Sequence, residues 1–535
     1  MPAMIVAPQA TAVEIGVAVL EQGGNAVDAA VTTAFAQGVL DPFNCGVAGF
    51  GECTIYWAQT GQVESISFHG RAGSRASESM WQDLILEEYR EGYGYRLRDF
   101  LNDVGYLSIT TPSTVAGLAA LLDAYGTRSW AECIAPAIPL ARDGFPLTPK
   151  AAATFFAAPA PGYPHPMMRA TATPGARAIF TRDGHAPWRA GELFVQTDYA
   201  RTLERLASHG PDDFYHGELA GAMATDLGRH GAFVTLEDLG SYRPRNGSPL
   251  LGSYRGYTVV TAPPPSGGMT LLEMLNIVEG YELSAMTFNG EEYIDLLART
   301  MQWAYRDWAD YLADPEFAEV PVERLTSKEY AQEARRAIDR GETFSVPRWR
   351  PKETGTTHLS VIDRWGNAVA LTHSLGSAAG VVTDGLGFQY NNCMNCFNPV
   401  PGHPNSIAPG KARVTGMTPT IIMKGDKAVL VLGAPGGTRI TTGVFQTILN
   451  VLDFGMTATE AVSAPRFDCQ GPIIDVEARI AERVCEGLRR RGHGVLKTPA
   501  AYWEFPLVHA IAVDPRTGAL DGGADPRGEG MALPA

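Results

Sequence analysis

A polar stretch near residue 350 splits this chain into two parts of different character, and any fold must join them. Before it, apolar residues recur at helical spacing. The clearest case is residues 291–312, where Ile294, Leu297, Met301, Tyr305, Trp308 and Leu312 form one stripe that reads as core packing. After it, short apolar runs alternate with turn residues. Residues 357–362 and 368–372 flank the turn 363–367. Residues 420–423 and 428–432 flank Lys424-Gly425-Asp426-Lys427, and 509–513, 514–518 and 519 onward repeat the pattern. A helix-rich part of roughly 350 residues thus precedes a strand-rich part of roughly 180. The change begins near Arg348, and Pro351-Lys352-Glu353-Thr354-Gly355 has the composition of an exposed segment.

The first sixty residues read as helix, glycine break, helix, glycine-rich turn and strand. Val13, Ile15, Val17 and Leu20 belong to a helix ending at Gly23-Gly24-Asn25. Residues 26–40 are almost wholly apolar, which predicts a buried helix, and residues 53–57 predict a strand. Pro263-Pro264-Pro265-Ser266-Gly267-Gly268 punctuates the approach to the long helix, and the chain carries no repeat or low-complexity tract.

The 535 residues allow two to four domains or one long layered unit. A composition 45% hydrophobic and 19% charged is that of a globular protein. The net charge of −15 argues against nucleic acid or anionic membrane as main partner. The first basic residue is Arg71, so no basic segment precedes an apolar one as in a secretory signal, and no apolar run reaches membrane-helix length. Seven cysteines form an odd, sparse set unlike a disulfide framework. The expectation is a cytoplasmic enzyme.

The junction carries the chemistry. Gly355-Thr356-Thr357-His358 stands directly before a strand. Cleavage of Gly355–Thr356 would give Thr356 a free α-amine beside its hydroxyl, and an amine of pKa near about 8 can accept that hydroxyl's proton. One residue then supplies nucleophile and base. A strained scissile peptide wants a preceding residue without Cβ, which Gly355 satisfies. Gly-Thr-Thr-His alone equally fits an ordinary strand start. Further on, Gly433-Ala434-Pro435-Gly436-Gly437-Thr438-Arg439 follows an apolar strand, and a Gly-Gly pair there presents successive N–H groups, as an oxyanion hole requires. Arg413-Val414-Thr415-Gly416-Met417-Thr418-Pro419 puts small hydroxyls before another strand. Either segment also suits a plain loop.

Taken together and in order, these pieces resemble the γ-glutamyltranspeptidase family of N-terminal nucleophile hydrolases over nearly the whole chain. The resemblance is carried by Gly23-Gly24-Asn25-Ala26-Val27-Asp28, Thr111-Pro112-Ser113-Thr114, Ala141-Arg142-Asp143-Gly144-Phe145 and Pro264-Pro265-Ser266-Gly267-Gly268. Thr356-Thr357-His358-Leu359-Ser360, Pro435-Gly436-Gly437-Thr438-Arg439, Ala464-Pro465-Arg466-Phe467 and Asp525-Pro526-Arg527 complete it. It implies an α+β fold, a four-layer αββα sandwich of two stacked antiparallel sheets. It also implies a precursor cut before Thr356 into a large subunit (1–355) and a small one (356–535) that fold together as one unit. By position Gly436 and Gly437 form the oxyanion hole, and Ser374 is the hydroxyl that supports the nucleophile.

The pocket expected for a γ-glutamyl group departs from the family. Gly376 replaces an Asn, and Cys393 and Cys396 replace the Gln and Asp that grip the substrate α-amine. No carboxylate remains there for an ammonium. Thr415-Gly416 replaces a Ser-Ser pair, and His69 aligns with the carboxylate-binding Arg, with Arg71 two residues on. The stretch from Cys396 to Thr415 is about ten residues shorter than in lidded relatives, which implies that the lid is absent. Cys393-Met394-Asn395-Cys396 is also a C-x-x-C, but no second ligand pair for zinc occurs, nor the βαβ setting of a redox pair. His358 and His373 flank the nucleophile and read as packing or supporting residues, because the amine already serves as base.

The expected function is a self-processing amidohydrolase that works through an acyl-Thr356 intermediate and needs neither metal nor cofactor. Its acyl group would carry a terminal carboxylate, held by Arg71 or Arg413 with Thr415, and no α-ammonium. The partners are a small-molecule amide and the two subunits, with a dimer of these heterodimers left open. A γ-glutamyl hydrolase or transpeptidase with altered contacts, and a binding protein without turnover, are the alternatives.

Overall fold

The computed structural model describes residues 2–88, 95–156, 163–342, 344, 346, 355–502 and 505–535, with the side chains of 155 and 156 excepted. Arg348 and Pro351 to Thr354 of the polar stretch lie outside the described residues.

Two antiparallel sheets form the centre. The strands of interest are, in chain order, β1 (Met4–Ala7), β2 (Phe50–Trp57), β3 (Gln62–Phe68), β4 (Arg245–Gly247), β5 (Leu250–Tyr254), β6 (Tyr257–Thr261), β7 (Thr357–Ile362), β8 (Ala368–Ser374), β9 (Thr420–Lys424), β10 (Lys427–Gly433), β11 (His509–Val513), β12 (Leu520–Ala524) and β13 (Met531–Pro534). One sheet runs β13-β1-β7-β8-β2-β3-β4 and the other β12-β11-β10-β9-β6-β5. Each sheet draws strands from both sides of residue 355, so neither part of the chain closes a sheet without the other.

Period-two patterning builds the layers. Leu359, Val361, Val369 and Leu371 face outward and share a core with the helices α1 (Ala10–Glu21), α2 (Ala26–Leu40) and α3 (Thr114–Tyr125). Their neighbours Ile362, Ala368 and Ala370 face inward and meet Val260, Ile421, Val431 and Ile511 of the other sheet. The outer face of that second sheet, with Val259, Ile422, Leu430 and Leu432, packs under α4 (Gly268–Val278), α5 (Glu291–Tyr311) and α6 (Arg439–Leu452). The result is the αββα sandwich.

The break before α2 is a capping box. The Asn25 side chain accepts from the Val27 and Asp28 amides, and the Asp28 carboxylate accepts from the Asn25 amide. α2 is buried on every side from Ala26 to Val39, as its apolar run predicts. Three details exceed the sequence reading. β1, an inner strand of the first sheet between β13 and β7, was not predicted. β2 starts at Phe50 rather than 53, because it pairs along all of β8 with Phe50 opposite Ser374. β8 likewise runs on to Ser374 rather than ending at 372, and this extension reaches the site described next. No helix among the described residues is long and apolar enough to cross a membrane.

Candidate active site

Thr356 immediately precedes β7, which lies between β1 and β8. Thr357 pairs with His373, so the next position back faces Ser374 at the end of β8. The side chains follow that register: Thr356 Oγ1 and Ser374 Oγ are 3.0 Å apart. Thr356 Oγ1 donates to the Gly355 carbonyl oxygen at 2.6 Å, and Ser374 Oγ donates to the same oxygen. The Gly376 amide donates to Ser374 Oγ at 2.8 Å, which orients that hydroxyl. Two hydroxyls therefore converge on one peptide carbonyl, polarising it beside the nucleophile that could attack it. Thr356 is 7% exposed.

Gly355 is required by contact. A Cβ at this position would stand 1.6 Å from the Gly376 carbonyl oxygen, itself backbone and unable to swing away. Close backbone approach is thus a reason for glycine here that stands beside the expected strain of a scissile peptide.

The glycine-rich turn links β10 to α6. Gly436 has φ +141° and Gly437 φ +60°, both in the region that favours glycine. A Cβ on Gly436 would meet Pro506 Cα at 3.0 Å, and one on Gly416 would meet the Gly437 carbonyl at 2.1 Å. The turn is thus pressed between residues 415–417 and Pro506. Gly436 and Thr356 line the same cavity, of about 570 Å³.

The residues expected to bind substrate divide into two sets. Arg413, Cys393 and Gly376 come together. Arg413 Nη1 lies 3.7 Å from Cys393 Sγ and 3.9 Å from where a Gly376 Cβ would be, and the guanidinium sits 4.6 Å over the Phe50 ring. All of this is buried. Thr415 is buried nearby, its Oγ1 accepting from the Met417 amide. The others turn elsewhere. His69 Nε2 lies 3.0 Å from Ser266 Oγ and 3.1 Å from the buried Glu52 carboxylate. Arg71 donates to the Arg243 carbonyl at 3.1 Å and stacks over Tyr242, although its backbone bridges to Ala412. Cys396 Sγ donates to Asn395 Oδ1 at 2.9 Å, within the short 3₁₀ turn Cys393–Cys396.

His358 and His373 are fully buried, and burial depresses both pKa values, His373 to about 3. Imidazoles so depressed are poor bases near neutral pH. His358 is held between Thr372 Oγ1 (2.8 Å) and Ser360 Oγ (3.0 Å). His373 Nε2 meets Gln37 Oε1 at 3.0 Å. Gln37 in turn donates to Thr357 Oγ1 (2.9 Å) and Gln9 Oε1 (2.8 Å), and Gln9 donates to Asp41 at 2.9 Å. Burial pushes Asp41 up to about 6. This polar chain under the nucleophile strand escaped the sequence reading. Its only signal was a single Gln, Gln37, in a mostly apolar helix.

A threonine behind glycine at the head of a central strand, on an αββα sandwich, defines an N-terminal nucleophile amidohydrolase or acyltransferase. Comparison with known proteins agrees. The family model for γ-glutamyltranspeptidase matches residues 12–535. A glutathione hydrolase proenzyme from Escherichia coli K12 is 34% identical, over 98% of this chain and 90% of that protein. An acylase ACY 1 proenzyme from Pseudomonas sp. strain SE83 is 35% identical, over 98% and 92%. The crystal structure of cephalosporin acylase from Bacillus halodurans superposes with TM-score 0.88 at 30% identity, covering 99% of this chain and 95% of that one. This chain belongs to the γ-glutamyltranspeptidase family, whose members are made as precursors and act on small amides.

Proposed function

We propose that the chain cleaves itself at Gly355–Thr356 and then hydrolyses amides whose acyl group ends in a carboxylate and lacks an α-ammonium. In processing, Thr356 Oγ1 bonds to the Gly355 carbonyl carbon, the C–N bond breaks, and the hydroxyl proton passes to the Thr356 nitrogen. Water then hydrolyses the ester, leaving subunits 1–355 and 356–535. In turnover Thr356 Oγ1 attacks the substrate carbonyl while its α-amine takes the hydroxyl proton and delivers it to the leaving amine. Gly436 and Gly437 donate to the developing oxyanion, Ser374 orients the nucleophile, and water frees the acid.

The observation carrying the substrate reading is Arg413, a buried cation beside Cys393 and Gly376. Where the family places groups for an α-ammonium, this chain has a guanidinium next to a thiol. A terminal carboxylate is attracted there, whereas an ammonium meets like charge after losing its water. The relatives' names span glutathione hydrolases and acylases, so the acyl side has to be decided by experiment.

Two outcomes are expected. Glutaryl anilide is hydrolysed with higher kcat/KM than the γ-glutamyl anilide, and glycylglycine stimulates turnover little; a tenfold advantage for the γ-glutamyl compound would instead make the protein a γ-glutamyl hydrolase or transpeptidase. Gly437→Val, which forces a β-branched residue to φ +60°, lowers kcat by about 10² with a smaller change in KM. Normal steady-state constants in a processed Gly437→Val protein would remove the turn from the oxyanion site.

A further inference from the structure

The cavity that Thr356 and Gly436 share has a composition of its own. Its described lining holds none of Arg413, Cys393 or Thr415, so it is separate from the acyl-end cluster. Phe145, Phe505, Pro435, Pro506, Leu507 and Leu40 provide apolar wall. Phe505 is buried, and Pro506 abuts Gly436. At about 570 Å³ the space holds far more than a methylamine or glycine would fill.

Its charges are largely answered within the protein. Arg439 is bound by Asp475 at 2.8 Å and Asp468 at 3.5 Å, and Arg527 by Asp525 at 2.9 Å and by Glu477. That leaves Lys150, whose Nζ donates to the Arg527 carbonyl at 3.3 Å and whose charge is favoured by three carboxylates, Asp41, Asp525 and Glu529. Asp41 is also held by Gln9 (2.9 Å) and Asn44 (2.7 Å). The cavity therefore offers no surplus of positive charge to a ligand carboxylate, and its apolar walls are rewarded only by apolar surface.

We infer that this cavity is the amine subsite of the reaction, and that it selects a bulky, uncharged, ring-bearing amine over a small amine or an amino acid. The inference rests on the proposed role of Thr356, since the leaving amine must lie beside the attacked carbonyl.

The test holds the acyl group constant and compares amides of three primary amines: naphthylmethylamine, methylamine and glycine. With glutaryl as the acyl group, processed wild-type enzyme should cleave the naphthylmethyl amide with kcat/KM about tenfold or more above the methyl amide, and the glycine adduct no faster than the methyl one. Phe505→Ala should lower the naphthylmethyl-to-methyl ratio at least threefold, and Phe145→Ala serves the same purpose if the first variant does not fold. A methyl or glycine amide that equals or beats the naphthylmethyl amide overturns the inference, whatever the variants do. The same three amines are run on a γ-glutamyl acyl group. Cleavage of that series alone would overturn the acyl-side reading while its amine ranking still decides this one. No cleavage in either series would overturn both.

Discussion

Thr356→Ala should remain a single chain of 535 residues on a denaturing gel, while wild type separates into two, the smaller beginning at Thr356 by N-terminal sequencing. The variant should also lose at least about 10³ in amidase rate, because one hydroxyl serves as nucleophile in both processing and turnover. The geometry behind this is local. Thr356 Oγ1 lies 2.6 Å from the Gly355 carbonyl oxygen and 3.0 Å from Ser374 Oγ, at the head of a strand anchored on both sides. The substitution removes a methyl-sized group and an oxygen from a nearly buried site without disturbing the β7–β8 register, so the chain should still fold. A wild type cut elsewhere, or an uncut wild type with full activity, would end the assignment of Thr356.

Gly355→Ala tests the other half of the junction. Its Cβ would sit 1.6 Å from the Gly376 carbonyl oxygen, so the scissile peptide must move by more than an ångström. That movement takes the carbonyl away from both hydroxyls that now donate to it. A misplacement of about 1 Å can cost about 10² in rate, and self-cleavage of this variant should slow by more than that. The check is mass spectrometry of purified precursor over time. Any Gly355→Ala protein that does mature has lost the altered contact along with the bond, so its steady-state activity should approach wild type. Processing at the wild-type rate would show that the close approach of Gly355 and Gly376 does not matter for cleavage.

Some of this molecule was legible in its residues alone. The apolar run of residues 26–40 already predicted a buried helix, to which the structure adds the cap made by Asn25 with Asp28. The stripe from Ile294 to Trp308 set α5, and the turn chemistry around Gly366 and Gly425 set two of the hairpins. These features follow from local periodicity and turn geometry, which need no knowledge of distant contacts. Gly-Thr at a strand start and the Gly436-Gly437 turn were visible as well, but each also fitted an ordinary loop until they were taken together, in order and spacing, as a resemblance to a family.

Tertiary structure decided the rest, because those properties depend on which backbone or side chain arrives from elsewhere. β1 is four residues long and carries no alternation, since it is buried on both faces, so only pairing with β7 and β13 makes it a strand. The need for glycine at 355 comes from a carbonyl 21 positions later. Arg71 and Arg413 were equivalent in sequence, yet the first is drawn to Tyr242 and the Arg243 carbonyl, while the second is buried over Phe50 beside Cys393. Chemistry gave both arginines the same charge, and only packing decided which of them lies beside Gly376.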